Sequence, residues 1–213
     1  AGNKAARHGI EVLKRYRDHI GNYNNARTLK VKEEDRKFVD DLFLLTMKPV
    51  MYVCNVDEKS ASAGNSYVER VKEVLAGGDA EVIVIAGAVE AEIAELESPD
   101  DRLAFLQDAG LEEPGVDKMV RAAYRLLNLQ TFFTVGPKEI RAWTIRKGMT
   151  APQAAGVIHS DLERGFIRAE VMKYTDFIRF GTEHACKEAG RFFIEGKSYV
   201  VEEGDILHIR FNV

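Results

Sequence analysis

The tetrapeptide Asn55-Val56-Asp57-Glu58 follows directly on the apolar run Val50-Met51-Tyr52-Val53-Cys54. A side-chain carboxamide suits a purine, because its N–H donates to N7 while its oxygen accepts from an adjacent exocyclic amine, the edge that adenine offers. A carboxylate three residues further on accepts N–H groups from guanine, whereas adenine's N1 has none to give. The pattern N-x-x-[DE] arises about once by chance in a chain of this length, and its structural alternative is a capping Asn followed by solvated carboxylates. A second element strengthens it. The apolar run Val82-Ile83-Val84-Ile85 ends in Ala86-Gly87-Ala88, followed by Val89-Glu90-Ala91-Glu92. Small residues there let the backbone approach the flat face of a base.

Both runs are continuous rather than alternating, as in strands buried on two faces of a parallel sheet. Between them Val68, Val71, Val74 and Leu75 recur at helical spacing, which predicts a helix over Ser66 to Leu75 stopped by Gly77-Gly78. Strand, helix, strand is a parallel crossover unit, and in open α/β sheets ligands bind at the carboxyl ends of the strands, where the two short elements stand. Helices are predicted at Asp101 to Gln107 and Val116 to Leu127 to cover the sheet. Two strands are too few for an independent doubly wound sheet, so this part reads as incomplete.

Ahead of it, Ala5, Val12, Leu13, Tyr16, Ile20 and Tyr23 form an amphipathic helical stripe. A second helix is predicted from about Lys32 to Leu45. The stripe needs cover and no initiator Met precedes it, so the native protein is expected to begin upstream. From Leu129 onward short strands and turns take over: Thr131 to Val135, a turn at Gly136-Pro137, Ile140 to Ile145, Phe166 to Lys173, Lys197 to Val200 and Asp205 to Phe211. Thr150-Ala151-Pro152-Gln153 has the capping-box pattern, and a further helix is predicted at Glu183 to Ala189. This describes a small α+β domain with a boundary near Asn128.

The 213 residues, 46% hydrophobic and 30% charged, describe a soluble globular chain with no apolar run long enough to span a bilayer. A cytoplasmic location and no membrane partner are expected, with Cys54 and Cys186 as reduced thiols. Residues 1–48 hold 11 Lys+Arg against 7 Asp+Glu, residues 49–128 hold 7 against 16, and residues 129–213 hold 12 against 11. The basic first segment fits either an electrostatic partner such as RNA or a solvated helix face. Five histidines and two cysteines show no zinc spacing, so no metal is assigned. His159 and Asp161 suggest an acid–base pair, but nothing nearby supplies a nucleophile, and a helix end with a turn explains them better. The aromatics of the last segment, Trp143, Phe132, Phe133, Tyr174, Phe177, Phe180, Phe192 and Phe193, serve either core packing or stacking on RNA bases.

The segments KPVMYVCNVDE (48–58) and AVEAEIAEL (88–96), with all of 129–213, resemble the YchF family of Obg-like ATPases, P-loop proteins of the translation-factor GTPase class. That family has N-x-x-E where ordinary GTPases have N-K-x-D, a departure associated with ATP preference. The resemblance implies that Asn55 and Val56 contact adenine and that Glu58 occupies the position that reads guanine in GTPases. Ala86, Gly87 and Ala88 match the second base-contacting loop, usually Ser-Ala-Lys, with substitutions at all three positions. Gly148-Met149-Thr150, Ile158-His159-Ser160-Asp161 and Gly165 to Ala169 resemble the TGS domain, a β-grasp module taken to contact partners such as ribosomal RNA.

The expected fold class is therefore α/β plus α+β: a helical arm (1–48), the C-terminal part of an incomplete P-loop-type parallel α/β nucleotide-binding domain (49–128), and a β-grasp (ubiquitin-like) TGS domain (129–213). The sequence has no G-x-x-x-x-G-K-[ST] and no Asp-x-x-Gly after an early strand. Catalytic residues are assigned to none of its positions, and Mg²⁺ would be held only with upstream residues. The expected function is that of a portion of an ATP- or GTP-binding switch protein, a hydrolase when complete, associated with the ribosome. The alternative is a nucleotide-independent RNA- or ribosome-binding module.

Overall fold

The structure, a computed structural model, describes residues 4–76, 80–136 and 139–212. The chain divides into two compact units, Ala1–Leu126 and Leu127–Val213. The predicted stop at Gly77-Gly78 and the Pro137 half of the predicted turn lie outside the described residues.

In the first unit, helix α1 (Lys4–Gly21) buries Gly9, Val12 and Tyr16, an i, i+3, i+7 row along one face. The segment that follows folds back, and Ala26, Val39, Leu29, Val31, Phe38, Leu44 and Met47 close a small core on that row. Part of the predicted stripe is thus covered from within, while Leu13, Ile20 and Tyr23 stay exposed. The helix predicted from Lys32 to Leu45 does not form. Helix α2 is a single turn (Glu33–Arg36), followed by two 3₁₀ turns, Asp40–Leu42 and Leu45–Met47. Phe43 adopts φ 48°, which ends any helix there. The break lets Val39 and Leu44 reach one core, and it leaves the buried Asp35 carboxylate 2.6 Å from His8 Nε2.

Strand β1 (Met51–Asn55) pairs in parallel with β2 (Glu81–Ile85), joined through α3 (Ser66–Leu75). Asn65 caps α3, its Oδ1 accepting the N–H groups of Tyr67 and Val68. Next come α4 (Gly87–Glu95), α5 (Pro99–Asp108) and α6 (Gly115–Leu126). Ala61, Ala86, Val89, Ile93 and Leu106 form a core to which α4 and α5 contribute. Glu90 accepts the Gly115 N–H at 2.6 Å and so caps α6 from a neighbouring helix. A Cβ on Gly115 would stand 2.7 Å from that Glu90 oxygen and 2.9 Å from Ile85 Cγ2, so the approach requires glycine.

The second unit runs β3 (Leu129–Val135), β4 (Ile140–Arg146), α7 (Ala151–Ile158), α8 (Ser160–Arg164), β5 (Phe166–Lys173), α9 (Tyr174–Phe180), α10 (Glu183–Glu188), β6 (Phe193–Glu195) and β7 (Asp205–Phe211). Its five strands lie in the order β4-β3-β7-β5-β6, with β3 and β7 parallel and the other neighbours antiparallel. Helix α7 starts in the predicted capping box of Thr150 and Gln153 and packs on one face of the sheet, over Phe132, Ile145, Ala169, Val171 and Leu207. A second cluster, Met172, Cys186, Ile206, Phe133 and Phe177, fills part of the other face. The strand predicted at Lys197 to Val200 is instead an isolated bridge from Val200 to Thr150, and β6 stands earlier, at Phe193–Glu195. Most of the aromatics weighed for RNA stacking, Phe132, Phe133, Phe177, Phe180 and Phe192 among them, are packed in these cores.

Candidate purine-base site

Asn55 is the last residue of β1 and Ala86 the first after β2, and their strands are neighbours in register, Asn55 opposite Ile85. The Val56 N–H donates to Ile85 O at 2.9 Å, carrying the pairing one residue past the strand end. Asn55 Oδ1 accepts the Gly87 N–H at 2.9 Å. The two short elements picked out by residue type therefore meet at one end of the parallel pair.

The sequence suggests a loop at Ala86-Gly87-Ala88, but Gly87 opens α4 and Ala86 is its N-cap. Ala has no side chain with which to cap, and Asn55, 32 positions earlier, takes one of the orphan N–H groups of that helix end. This bond orients Asn55. Its oxygen accepts one N–H within the protein and keeps a second lone pair, while the amide N–H₂, without a hydrogen bond among the described residues, can donate to an acceptor such as a purine N7.

Asn55 and Glu58 are exposed, Val56 and Gly87 half-buried, Ala86 buried and Ala88 exposed. Asp57 Oδ1 caps a 3₁₀ turn over Glu58–Ser60 by accepting the Ser60 N–H at 3.1 Å. Asp57 is thus structural, while the Glu58 carboxylate makes no side-chain hydrogen bond among the described residues. On the α3 side a cavity of about 260 Å³ is lined by Cys54, Asn55, Val56, Asn65, Tyr67 and Val68. Asn65 and Tyr67 were not singled out by residue type; the only local signal is the Asn-Ser start of a helix. A larger cavity, about 520 Å³, opens in the second unit beside Trp143, Ile158, Leu162 and Phe211, and none of the candidate base-site residues lines it.

The other chemistry-bearing groups are engaged structurally. His159 ends α7 and caps α8, its Nδ1 accepting the Asp161 N–H at 3.2 Å, and Asp161 pairs with Arg164. Asp205, fully buried, accepts from Lys173 Nζ at 2.6 Å, Tyr199 OH at 2.7 Å and the Glu202 N–H at 2.9 Å. Burial alone would lower the Lys173 pKa, but its hydrogen bonds to Asp205, Glu202 and Tyr199 prevail and push it up. Burial and the bond to Asp205 push the Tyr199 hydroxyl up to about 12. Burial also raises the Cys186 thiol. No helix among the described residues is long and apolar enough to cross a membrane.

Residues 129–212 match the family model YchF-GTPase_C, described as a protein of unknown function (DUF933). The Ribosome-binding ATPase YchF of Haemophilus influenzae is 46% identical over 212 residues, covering 100% of this chain and 58% of the relative. Its namesake from Bacillus subtilis is 47% identical over 206 residues, covering 96% and 56%. The solved Schizosaccharomyces pombe YchF GTPase superposes with a TM-score of 0.86 at 31% identity, over 97% of this chain and 55% of that one. The chain thus spans little more than half the length of these relatives, and it shares their mixed α/β fold. On these matches the chain belongs to the YchF family.

Proposed function

We propose that this chain supplies the base-recognition part of an ATP- or GTP-binding switch protein that works on the ribosome. The carrying observation is the bond from the Gly87 N–H to Asn55 Oδ1, which fixes the carboxamide with its N–H₂ free at the carboxyl end of β1. Asn55 donates to purine N7, Val56 and the small residues Ala86, Gly87 and Ala88 border the base, and the unengaged Glu58 faces its Watson–Crick edge. Adenine offers no ring N–H to that carboxylate and guanine does, so Glu58 sets the preference between ATP and GTP. Mg²⁺ and the phosphates belong to residues beyond this sequence, which has no phosphate-binding loop motif.

The names of the relatives, a ribosome-binding ATPase and a GTPase, support the nucleotide and the ribosome as partners and a cytoplasmic place of work. Residues 1–48 serve as a helical arm, 49–128 as the nucleotide-binding part, and 129–213 as a β-grasp module of the TGS type. The sheet order β4-β3-β7-β5-β6, with its parallel central pair and crossing α7, supports that last assignment. The arm and this module carry the ribosome or RNA contact. A match of the family model confined to 129–212 favours, as a second reading, a module that binds independently of nucleotide.

Competition of ATP and GTP against a fluorescent ATP analogue separates the two readings, using this chain and a YchF protein of the relatives' full length that carries it. Weaker binding of the analogue after Asn55→Ala in the longer protein supports the switch reading. Unchanged affinity and selectivity in both Asn55→Ala and Glu58→Asp would overturn the site.

A further inference from the structure

Ala169, Val171, Leu207 and Ile209 face the core under α7, so the residues that alternate with them, Arg168, Glu170, His208 and Arg210, stand on the opposite face of the sheet. Arg168 is directly opposite Arg210 on the neighbouring antiparallel strand, and Glu170 is directly opposite His208. Like charges in direct register repel, and such a pair needs a compensating group. Glu170 is that group, with its side chain only 10% exposed. It holds Arg210 in a two-pronged grip, Oε1 to Nε at 3.0 Å and Oε2 to Nη2 at 2.8 Å.

Glu170 ion-pairs with both guanidinium groups but hydrogen-bonds only that of Arg210. Arg168 Nη2 comes no closer than 3.6 Å to Glu170, beyond hydrogen-bond length, and its side chain makes no hydrogen bond among the described residues. Arg210 keeps its Nη1 donors. The side chains of Arg168 and Arg210 are 49% and 58% exposed, so the spare donors reach solvent. A second carboxylate, Glu183, is held by Lys187 at 2.5 Å, lies 3.3 Å from His208 Nε2, and acts on Arg210 through charge alone, without a hydrogen bond to either arginine among the described residues.

We propose that Arg168 and Arg210 form a two-guanidinium site for a phosphate group. A buried carboxylate beneath the pair fixes the plane of one fork, and the other fork stands beside it with five unused donors, the arrangement that planar recognition of phosphate oxygens needs. The site is independent of the base site at Asn55. Its ligand chemistry has two sources, a free phosphate group or a phosphodiester in an RNA strand.

The test uses the 213-residue chain labelled with ¹⁵N and follows the arginine Nε–Hε resonances. Sodium phosphate is titrated against sodium chloride at matched ionic strength, and an octauridylate RNA forms the second arm. Saturable shifts at Arg168 and Arg210 in phosphate are expected, weakened roughly tenfold in Arg168→Gln, which leaves the Glu170–Arg210 grip intact. Arg168→Lys should recover only part of the affinity, because the charge remains and the fork is lost. Tighter saturation of the same resonances by RNA identifies the phosphodiester as the source, and a response to phosphate without one to RNA identifies a free phosphate group. Shifts matched by chloride, no shift in either arm, or shifts undiminished in Arg168→Gln would each overturn the proposal.

Discussion

Asn55 Oδ1 accepts the Gly87 N–H at 2.9 Å, tying the end of β1 to the first turn of α4. Two substitutions separate its structural from its binding role. Asn55→Asp keeps an oxygen for Gly87 but loses the N–H₂, so nucleotide affinity should fall while the melting temperature changes little. Asn55→Ala removes both, and should cost about 1 to 3 kcal/mol in binding with a loss of stability besides. Equilibrium titration and thermal melting of a YchF protein of full length carrying each change provide the check, and equal affinities in the two variants and the parent would refute the role.

The chain alone should hydrolyse neither ATP nor GTP above background. In phosphoryl transfer nearly all catalysis comes from positioning the phosphates and stabilising their charge, and the sequence has no loop of the G-x-x-x-x-G-K-[ST] type. Phosphate release by purified chain with Mg²⁺ and ATP is the measurement; turnover that survives repeated purification counts against the assignment.

Gly115→Ala should destabilise the first unit by about 1 to 3 kcal/mol, because a Cβ 2.7 Å from Glu90 Oε1 and 2.9 Å from Ile85 forces the helix cap apart. Glu90→Gln, which keeps an acceptor for the Gly115 N–H, should be much milder. Urea titrations of the two variants give the comparison, and equal midpoints would show that the approach is not tight.

How far the sequence could be read depended on range. Val82 to Ile85, Ser66 to Leu75 and the Thr150 capping box are local patterns, and all three form elements there. Lys32 to Leu45 has helical periodicity too, but burying Val39 and Leu44 against Val12 and Tyr16 demands a turn at Phe43, and tertiary packing overrode propensity. The residue types of the base site were legible. The commitment of the Asn55 oxygen was not, because its partner is a backbone N–H 32 residues away, to which any residue but proline is equivalent. Arg168 and Arg210 were equally hidden, since their register exists only once β5 and β7 pair.

The second unit should lose stability at both ends of the pH scale. The hydrogen bonds from Arg210 hold the Glu170 carboxyl below its ordinary value of 4.5, against the effect of burial. A depressed native pKa stabilises above the unfolded value and ceases to do so as pH falls through the native one, so this contribution fades below about pH 4.5. Glu170→Gln should flatten the acid limb. Tyr199 has the opposite sign: its pKa is raised from 10.0 to about 12, so its contribution is intact below pH 10.0 and is lost as pH climbs toward 12. Tyr199→Phe should make the alkaline limb shallower. Asp205→Asn, which leaves the Lys173 ammonium without its buried partner, should cost on the order of 3 to 5 kcal/mol at neutral pH. Limbs unaltered by these substitutions in urea titrations across pH would contradict the assigned ion pairs.

Residues 127–213 should fold as an isolated fragment. The unit has two cores of its own, one under α7 and one beneath α9 and α10, and all five strands of its sheet come from within it. Two of its buried polar groups find partners there too: Gln130 donates to Val201 O at 2.6 Å, and Asp205 has its three donors, while the buried His208 Nε2 makes no hydrogen bond among the described residues. The first unit differs. Among the described residues its sheet is β1 and β2, and Tyr52 and Val53 on β1 are 36% and 40% exposed, an apolar strand surface that a two-stranded sheet cannot protect. Excised residues 127–213 should therefore give a cooperative urea transition at the same midpoint as the Trp143 fluorescence change in the full chain, since Trp143 is the only tryptophan and reports this unit alone. Residues 4–126 should unfold at lower urea and self-associate. A fragment 127–213 without a cooperative transition, beside a stable monomeric 4–126, would overturn the division.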